Sequence, residues 1–573
     1  MPNSSPTIAD MTRKLRSNFE AGTSFWAVRR AQWRALGLTD ADMEKPKIAV
    51  VNSSSELAIC FSHLDGVSAR VKHAIRKAGG LPFEIRTTAP SDFIHSAGHR
   101  GNYILPSRDL IVNDVEVQVE GAQLDGMICL TSCDKTTPGH LMAAARLNIP
   151  TIMVICGYQP SGEYRGHHMD IEEVFLGAGH HVAGRLSFDE LKAMSENAIR
   201  GPGVCSGMGT ANSMHIVCEA LGMSLPGAAP VLANSDRMFQ FAESSGRRIV
   251  EMVWENLRPR DILTNGAFAN AAMAVLAVSG SINCIKHLQA TAIEARCEVD
   301  MCGLFDRFGK SIPVLSAVRP IGETSIEEFE RAGGAAALLK RLEGHLHLDV
   351  MTVSGGTQRD NLDKVDVSDS DAIRSMERPL SDKAAIVVMR GSLAPGGGII
   401  KLGLRDGKTL NFVGKARVFN STDEAVAALR DGKIVNGDVV IVRGLGVKGG
   451  PGMGMASRVV FAIDGAGLGA DVAMITDGQL SGLVNKGIVI GEVNPEAAVG
   501  GPLCLVQDGD EISIDVEAQR VDLNVPEVEL AMRRKQLSPM PEKPDEGWLS
   551  VYARSVLPLS QGGSLIKPGE RRN

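Results

Sequence analysis

The stretch Thr131-Ser-Cys-Asp-Lys-Thr-Thr-Pro-Gly139 joins an apolar run to a segment rich in helix-forming residues. The run before it, Met127-Ile-Cys-Leu130, predicts a buried strand, and Leu141-Met-Ala-Ala-Ala-Arg-Leu147 after it predicts a helix. A strand-to-helix turn lies at the end of a sheet, where the first N–H groups of the helix are free. Open α/β folds place their binding sites there. The stretch therefore predicts an α/β fold with a site at this turn.

The turn offers three different side chains in succession, Cys133, Asp134 and Lys135. Thiolates are suited to iron–sulfur clusters and carboxylates to magnesium. One turn could therefore serve two metals. A helix N-terminus with a buried cysteine beside it explains the same residues, and this pattern alone leaves both interpretations open.

Length and composition limit the classes of protein to consider. The chain has 573 residues, which is too long for one ordinary core, so we expect two or more domains. With 44% hydrophobic and 22% charged residues, the composition is that of a globular protein. A net charge of −7 gives no basic surface for nucleic acid.

The cysteines and the N-terminus indicate a compartment. Residues 1–10 lack the apolar core of a signal peptide. The weakly polar run at 267–282 is short for a membrane span and predicts a buried helix. Ten cysteines without a secretory signal indicate reduced thiols or metal ligands, not a disulfide framework. We therefore expect a cytoplasmic protein without a membrane partner.

The pattern of apolar runs and turns along the sequence predicts two domains. Residues 1–370 carry short apolar runs before helical patterns, which predicts an α/β domain with a parallel sheet. Within it, residues 11–44 look helical, and residues 235–345 read as alternating helices and short strands. The polar, acidic segment 360–382 is interpreted as a linker.

After the linker the pattern changes, and residues 383–573 predict a smaller, β-rich, barrel-like or sandwich domain. Short apolar runs between turns carry this prediction. They are at 384–389, 398–401, 415–419 and 437–442.

Four blocks of this sequence resemble one enzyme family. The 131–139 stretch is similar to the signature of the family of dihydroxy-acid dehydratase, sugar-acid dehydratases and phosphogluconate dehydratase. Gly201-Pro-Gly-Val-Cys-Ser-Gly-Met-Gly-Thr-Ala-Asn-Ser-Met214 resembles its third cluster-cysteine motif, in the form closer to the dihydroxy-acid branch. Thr476-Asp-Gly-Gln-Leu-Ser-Gly482 resembles the loop that presents a catalytic serine, and Asn494-Pro-Glu-Ala-Ala-Val-Gly-Gly-Pro502 completes the match. The resemblance extends from about residue 45 to about residue 535.

The resemblance implies a [2Fe–2S] cluster. Its ligands would be Cys60, Cys133 and Cys205, and three thiolates would leave one iron with an open position. For Cys60, a small buried hydrophobic residue is the alternative interpretation. Paired Cys-x-x-Cys spacing is missing from the sequence, which disfavours a zinc protein.

A magnesium site and a base are implied in the same way. Asp92, Asp134 and a carbamylated Lys135 would hold Mg²⁺, since an ammonium cannot ligate a cation. Ser481 would take the C2 proton of the substrate as an alkoxide, with its pKa lowered by the metal-rich site. Asp92 could instead be a simple helix cap.

The sequence departs from the family pattern where magnesium would bind. The family usually has two glutamates in a Tyr-Glu-Gly…Gly-Gly-Pro-Gly-Met-x-Glu pattern, and Leu445 and Met455 occupy those two places. Glu492 stands near a position where the family commonly has histidine, and it could supply the missing carboxylate. The pairs His167-His168 and His180-His181 are interpreted as loop histidines in an irregular, Gly-rich region.

The leading functional hypothesis is a hydro-lyase that dehydrates a sugar acid (an aldonate) or a related 2,3-dihydroxy carboxylate to a 2-keto-3-deoxy acid. The alternatives are a branched-chain dihydroxy-acid dehydratase and a divergent, non-catalytic metal- or ligand-binding member. The implied partner is a small polyhydroxy acid. The resemblance also implies a homodimer or homotetramer.

Overall fold

A computed structural model of the chain describes residues 13–98, 101–404, 410–482, 484, 487–538, 540 and 546–566. The N-terminal decapeptide lies outside the described residues. The strands are β1 (Lys47–Asn52), β2 (Leu81–Arg86), β3 (Gly126–Thr131), β4 (Thr151–Ile155), β5 (Gly162–Tyr164), β6 (His167–Met169), β7 (Ile386–Met389), β8 (Gly398–Lys401), β9 (Asn411–Phe419), β10 (Asp438–Val442), β11 (Ala473–Thr476), β12 (Ile488–Gly491), β13 (Glu511–Asp515) and β14 (Arg520–Leu523).

The α-helices are α1 (Ser24–Ala35), α2 (Asp40–Met43), α3 (Leu64–Lys77), α4 (Asp92–His95), α5 (Ile104–Gly121), α6 (Thr136–Leu147), α7 (Ile171–Val182), α8 (Phe188–Asn197), α9 (Thr210–Ala220), α10 (Asp236–Glu255), α11 (Pro259–Ile262), α12 (Asn265–Ala277), α13 (Asn283–Ala295), α14 (Met301–Phe308), α15 (Ile326–Arg331), α16 (Gly334–Arg341), α17 (Gln358–Leu362), α18 (Thr422–Arg430), α19 (Ser457–Gly465), α20 (Glu527–Gln536) and α21 (Trp548–Ser555).

The N-terminal sheet is parallel, with the order β2-β1-β3-β4. All residues of β1, β3 and β4 are buried, which explains why their sequences are continuous apolar runs instead of alternating ones. Helices α3 and α10 pack on one another and on this sheet, and α5 packs on α6. The predicted strand, turn and helix around residues 131–139 are confirmed, because β3 ends at Thr131 and α6 begins at Thr136.

The C-terminal sheet has the order β14-β13-β9-β10-β11-β12-β8-β7 within the described residues. Its centre, from β9 to β12, is parallel, and the flanking pairs are antiparallel. A bridge between Arg390 and Arg520 joins the two ends, so the sheet is nearly closed into a barrel shape. The prediction of an α/β half followed by a barrel-like β-rich half is confirmed.

The structure tests three local predictions of helix or strand. The run at 267–282 forms α12, whose residues 267–277 are all buried, as predicted. The short strands predicted within 235–345 are wrong: that part of the chain contains helices and irregular segments but no strand. Its alanine-rich apolar runs are buried by helix packing, which their length favours over strands. The prediction of helix over 11–44 is correct only for α1 and α2.

One large hydrophobic core extends from the N-terminal sheet to β10 and α19 in the C-terminal half. Helix α7 packs directly on α19, which joins the two halves. This packing brings the segment after β3 and the segment after β11 to the same cavity. No helix among the described residues has both the length and the apolar character that crossing a membrane requires.

Candidate active site

A cavity of about 380 Å³ lies where the two halves meet. Several helices, among them α4, α7 and α19, contribute both polar and apolar side chains to its lining. Polar or charged groups reach it from Asp92, Cys133, Asp134, Glu172, Cys205, Thr210, Thr422, Asp423, Ser457, Arg458 and Ser481. Its apolar side chains include Phe93, Ala97, Phe175, Ala211, Met455 and Phe461.

The turn after β3 is held by hydrogen bonds to its own backbone and to a neighbouring segment. The hydroxyl of Thr136 donates to the carbonyl of Cys133 at 3.0 Å, and that of Thr137 donates to Ser132 at 3.1 Å. Ser132 in turn donates to the carbonyl of Cys60 at 2.6 Å. The last bond places the Cys60 segment against the turn that presents Cys133.

The three predicted cluster cysteines lie in one neighbourhood. The pKa of Cys133 is raised well above its usual value. The largest cause is a hydrogen bond between the thiols of Cys133 and Cys60, and burial is the second. Burial raises the pKa of Cys205 as well, and the nearby Asp134 and Cys60 add to this effect. None of the three is in a disulfide. Cys60 and Cys133 are buried and Cys205 is partly buried. A bound metal would deprotonate free thiols of this kind, so the donor set fits an iron–sulfur cluster.

The spacing of the thiols does not suit a single zinc ion. Among the described residues, three potential ligand atoms lie within 4.8 Å of one another only at His168, Asp170 and Glu173. Sulfur atoms around one tetrahedral zinc lie closer together, at roughly 4 Å, given Zn–S bonds of about 2.3 Å. Cys60, Cys133 and Cys205 do not form such a group, so their sulfur atoms do not match one tetrahedral zinc.

Two buried carboxylates and a lysine adjoin the thiols. Lys135 is completely buried, and its Nζ lies 3.2 Å from Oδ2 of Asp92 and 3.8 Å from Oδ2 of Asp134. Burial and the Asp92 charge raise the pKa of Asp134 to about 7. The pKa of Lys135 is also raised: burial lowers it, but Asp92 and Asp134 outweigh that effect. Among the described residues the buried Oδ1 of Asp92 has no hydrogen-bond partner, and two carboxylates with a spare acceptor fit a cation.

Asp92 is the first residue of α4, and its neighbour Ser91 occupies the N-cap position. Neither residue makes a side-chain cap hydrogen bond there. The alternative interpretation of Asp92 as a helix cap is therefore wrong, because its carboxylate faces Lys135 instead of the free N–H groups of the helix.

Ser481 reaches the cavity from the other half of the molecule. It follows β11, in the turn that leads away from that strand. Its backbone N–H donates to Oγ of Ser457 at 2.6 Å. The structure thus brings Cys133, Asp134 and Ser481, which are far apart in sequence, to one cavity.

The departures from the family pattern have clear places in the structure. Met455 lines the cavity and Leu445 is buried behind it, so neither presents a carboxylate there. Glu492 is not part of the cavity lining: its carboxylate forms a buried ion pair with Lys286. The idea that Glu492 replaces the missing glutamate at the magnesium site therefore receives no support.

The two histidine pairs were expected in an irregular region, and this expectation is wrong. His167 and His168 lie on β6 of a short hairpin, and His180 and His181 lie in the last turn of α7. Asp170 caps α7 and contacts His168 at 3.3 Å. The capping role accounts for this group without a metal.

Sequence reasoning missed several polar residues around the serine turn. Lys286 and Lys401 are buried lysines, Asn283 is a buried amide, and Thr210 lies between the carboxylates and the turn. A lysine at the end of the apolar run at 398–401 was an available signal, because lysine is seldom buried without a partner.

These features define a class: an α/β protein with two main sheets, whose cavity lies at the carboxyl ends of central strands and is lined by thiols, carboxylates and a serine. Family models of dihydroxy-acid/6-phosphogluconate dehydratase match this chain, the N-terminal model over residues 45–361 and the C-terminal model over residues 371–563. The chain belongs to this family, and it is a hydro-lyase. Dependence on an iron–sulfur cluster and Mg²⁺ is typical of the family.

Three similar proteins are named dihydroxy-acid dehydratase. The protein of Methanococcoides burtonii is 43% identical over 541 residues, which cover 94% of this chain and 97% of that protein. The protein of Ignicoccus hospitalis is 41% identical, with coverage of 94% and 98%. Dihydroxy-acid dehydratase 1 of Methanosarcina acetivorans is 42% identical, with coverage of 94% and 97%.

Proposed function

We propose that this chain removes water from a 2,3-dihydroxy carboxylate and releases a 2-keto acid. Loss of the C2 proton and of the C3 hydroxyl gives an enol, which tautomerises to the keto acid. The observation that supports this most directly is the shared cavity of Cys133, Cys205, Asp134 and Ser481. The names of the similar proteins support the same reaction.

Cys60, Cys133 and Cys205 would hold a [2Fe–2S] cluster. The burial of Cys60 and Cys133, the mutual proximity of the three thiols and the absence of disulfides support this assignment. Three protein ligands would leave a position for the substrate.

Asp92, Asp134 and Lys135 would hold Mg²⁺. Lys135 can act as a ligand only as a carbamate, because its ammonium form has no lone pair. With Met455 in place of a glutamate, the protein offers fewer carboxylates than the family pattern. A magnesium ion that keeps several waters is compatible with such a set, so we expect a weaker site.

When bound, the cluster and the magnesium ion supply Lewis acidity at the C3 hydroxyl and at the carboxylate side of the substrate. Oγ of Ser481 takes the proton from C2, and Ser457 fixes the backbone of this serine at 2.6 Å. The partly buried rings of Phe93 and Phe175, with Phe461, limit the access of water to this proton transfer.

Two substrate classes are favoured by different parts of the cavity. The centroids of Phe93 and Phe175 are 5.4 Å apart, and those of Phe175 and Phe461 are 5.6 Å apart, which makes one apolar wall. This wall favours a branched alkyl group. Arg458 and Asp423, paired at 2.7 Å and partly exposed, offer polar groups that favour the hydroxyls of a sugar acid.

The test uses protein purified without oxygen, with iron and sulfide analysis. Aldonates and dihydroxyisovalerate are compared as substrates, and 2-keto acid is measured. We expect turnover of at least one class by wild type and its loss in Ser481→Ala. If cluster-loaded wild type forms no keto acid from any substrate of the panel, the proposal is wrong and a ligand-binding role is favoured.

We also propose a cytoplasmic enzyme that acts as a homodimer or homotetramer. Ten free cysteines support a reducing compartment. Analytical ultracentrifugation of the cluster-loaded protein would measure the assembly, and a monomer at micromolar concentration would contradict this part of the proposal.

A further inference from the structure

The backbone around Ser481 is held by side chains from three other elements. We infer that Lys401 and Asn283, supported by the ion pair of Lys286 and Glu492, are positioning residues that hold Ser481 at the reacting carbon. This inference rests on the proposed role of Ser481 as the base. It assigns a role to residues that otherwise would only be buried polar groups.

Lys401 holds the carbonyl that follows the serine. It is the last residue of β8, it is buried, and its Nζ donates to the carbonyl of Gly482 at 2.9 Å. Burial lowers the pKa of Lys401 to about 8, so the position has an electrostatic cost. A fixed ammonium donor at a backbone carbonyl restricts the direction of the turn.

Asn283 holds the carbonyl that precedes the serine. Its Nδ2 donates to the carbonyl of Leu480 at 3.2 Å and to Oγ1 of Thr210 at 3.0 Å. Its Oδ1 accepts a hydrogen bond from Lys286. Because the amide oxygen faces an ammonium group, the NH₂ group must face Leu480 and Thr210. Lys286 therefore fixes the orientation of the amide.

Glu492 completes the support. Its carboxylate pairs with Lys286, and both side chains are only 1% exposed. Its backbone N–H also donates to the carbonyl of Gly478 at 3.2 Å, at the start of the serine turn. Glu492 thus connects Lys286 with the start of the serine turn. This contact explains an acidic residue at this position without a metal.

These contacts anchor the serine on three sides. Ser457 accepts from its N–H, Asn283 binds the preceding carbonyl and Lys401 the following one. Gly482 has no room for a side chain: a Cβ would collide with Ser281 Oγ. A turn with so many fixed contacts keeps one geometry, and a small displacement of a reacting group lowers the rate strongly.

The test compares Lys401→Met with Lys47→Met. Both lysines are buried, and burial lowers the pKa of both to about 8, but Lys47 lies on β1, away from the serine turn. For Lys401→Met we expect a 10- to 100-fold loss of kcat, a change of KM within about threefold, and unchanged iron content and visible spectrum. Lys47→Met should keep the kcat of wild type. Lys401→Arg, which keeps a donor, should retain more activity than Lys401→Met.

A double-mutant cycle separates this inference from the proposed base. If Lys401 acts through Ser481, adding Lys401→Met to Ser481→Ala should change kcat little further. Wild-type kcat in soluble, cluster-loaded Lys401→Met would overturn the inference, whereas activity in Ser481→Ala would overturn the base itself. Asn283→Leu provides a second variant if Lys401→Met does not fold. It should show the same loss of kcat, and wild-type kcat in it would also overturn the inference.

Discussion

Two turns face the same cavity, one after β3 and one after β11, and they are held in opposite ways. The first turn, at 132–135, leads into α6 and is tied by Thr136 and Thr137 to carbonyls a few residues away. The second, at 477–482, follows β11 and is tied to Ser457, Asn283 and Lys401. The first geometry is therefore encoded largely by adjacent residues, with a longer-range bond from Ser132 to Cys60, and the second depends mainly on tertiary structure.

This difference indicates a division of roles. A helix N-terminus supplies rigid support over a few residues, which suits side chains that must bind metals. The serine turn gains its rigidity from three separate elements, so its geometry is sensitive to substitutions far away in sequence.

The largest effect is expected at the first turn. In Cys133→Ser the visible absorption bands should disappear, and activity should fall on the order of 1,000-fold, because several kcal/mol of Lewis-acid stabilisation are lost. Cys504→Ser, at a buried cysteine in the C-terminal half, is the control and should keep its bands. Bands that persist in Cys133→Ser would show that this thiol is not a ligand.

A substitution at the second turn should lower activity while the cluster stays bound. Ser481→Ala should lower kcat by about 10²- to 10⁴-fold, since this is the usual contribution of a positioned base. Its spectrum and iron content should match those of wild type. Loss of the bands in this variant would contradict the contrast, because the serine turn would then also support the cluster.

A matched pair of glycines tests the two modes of support. In Gly482→Ala the new methyl group would collide with Ser281, and kcat should fall by about 100-fold. In Gly139→Ala the Cβ would lie 3.1 Å from the carbonyl oxygen of Arg108. This variant should lose about 1–3 kcal/mol of unfolding free energy but keep most of its kcat. Urea titration and steady-state kinetics measure the two effects.

Replacing Met455 by glutamate should strengthen magnesium binding. Met455 lines the cavity beside the carboxylates, and one added carboxylate should lower the Kd for Mg²⁺ by about tenfold. Magnesium titration of activity measures this change. Met455→Gln, which is similar in size but uncharged, is the control, and an equal effect of both variants would contradict a role for the charge.

The smallest effect concerns pH. The pKa of Lys401 is about 8 in the folded protein and 10.5 in its ordinary state. Between these values the unfolded chain binds more protons, so this lysine makes the unfolding free energy rise with pH by about 1 kcal/mol per unit. Urea titrations at pH 8 and 9 should show a smaller rise in Lys401→Met than in wild type. An identical rise in both proteins would contradict this.

The extent of sequence prediction follows the same division. The strand, turn and helix around Cys133 were predictable because apolar runs and turn residues are adjacent in the chain. The sequence predicted a parallel sheet in the first half and a barrel-like or sandwich domain in the second. It did not predict the order of the strands in either main sheet. The identities of the cysteines, the carboxylates and the serine at the site came from resemblance and remain assignments to be tested.

The contacts of the serine turn could not have been predicted. Asn283 and Leu480 are 197 residues apart, and Lys286 and Glu492 are 206 apart. Neither pair has a local pattern, because the contact exists only after both halves have folded. Glu492 can be interpreted as a metal ligand from the sequence because its charge is visible there, whereas its partner Lys286 is not.

The bridge between Arg390 and Arg520 has a consequence for solubility. A sheet with two open borders exposes unpaired N–H and C=O groups that can capture a strand from another molecule and start aggregation. Here those two borders meet, so the backbone groups at the junction are already satisfied within one chain. The junction of the two borders therefore offers no template for a strand from another molecule.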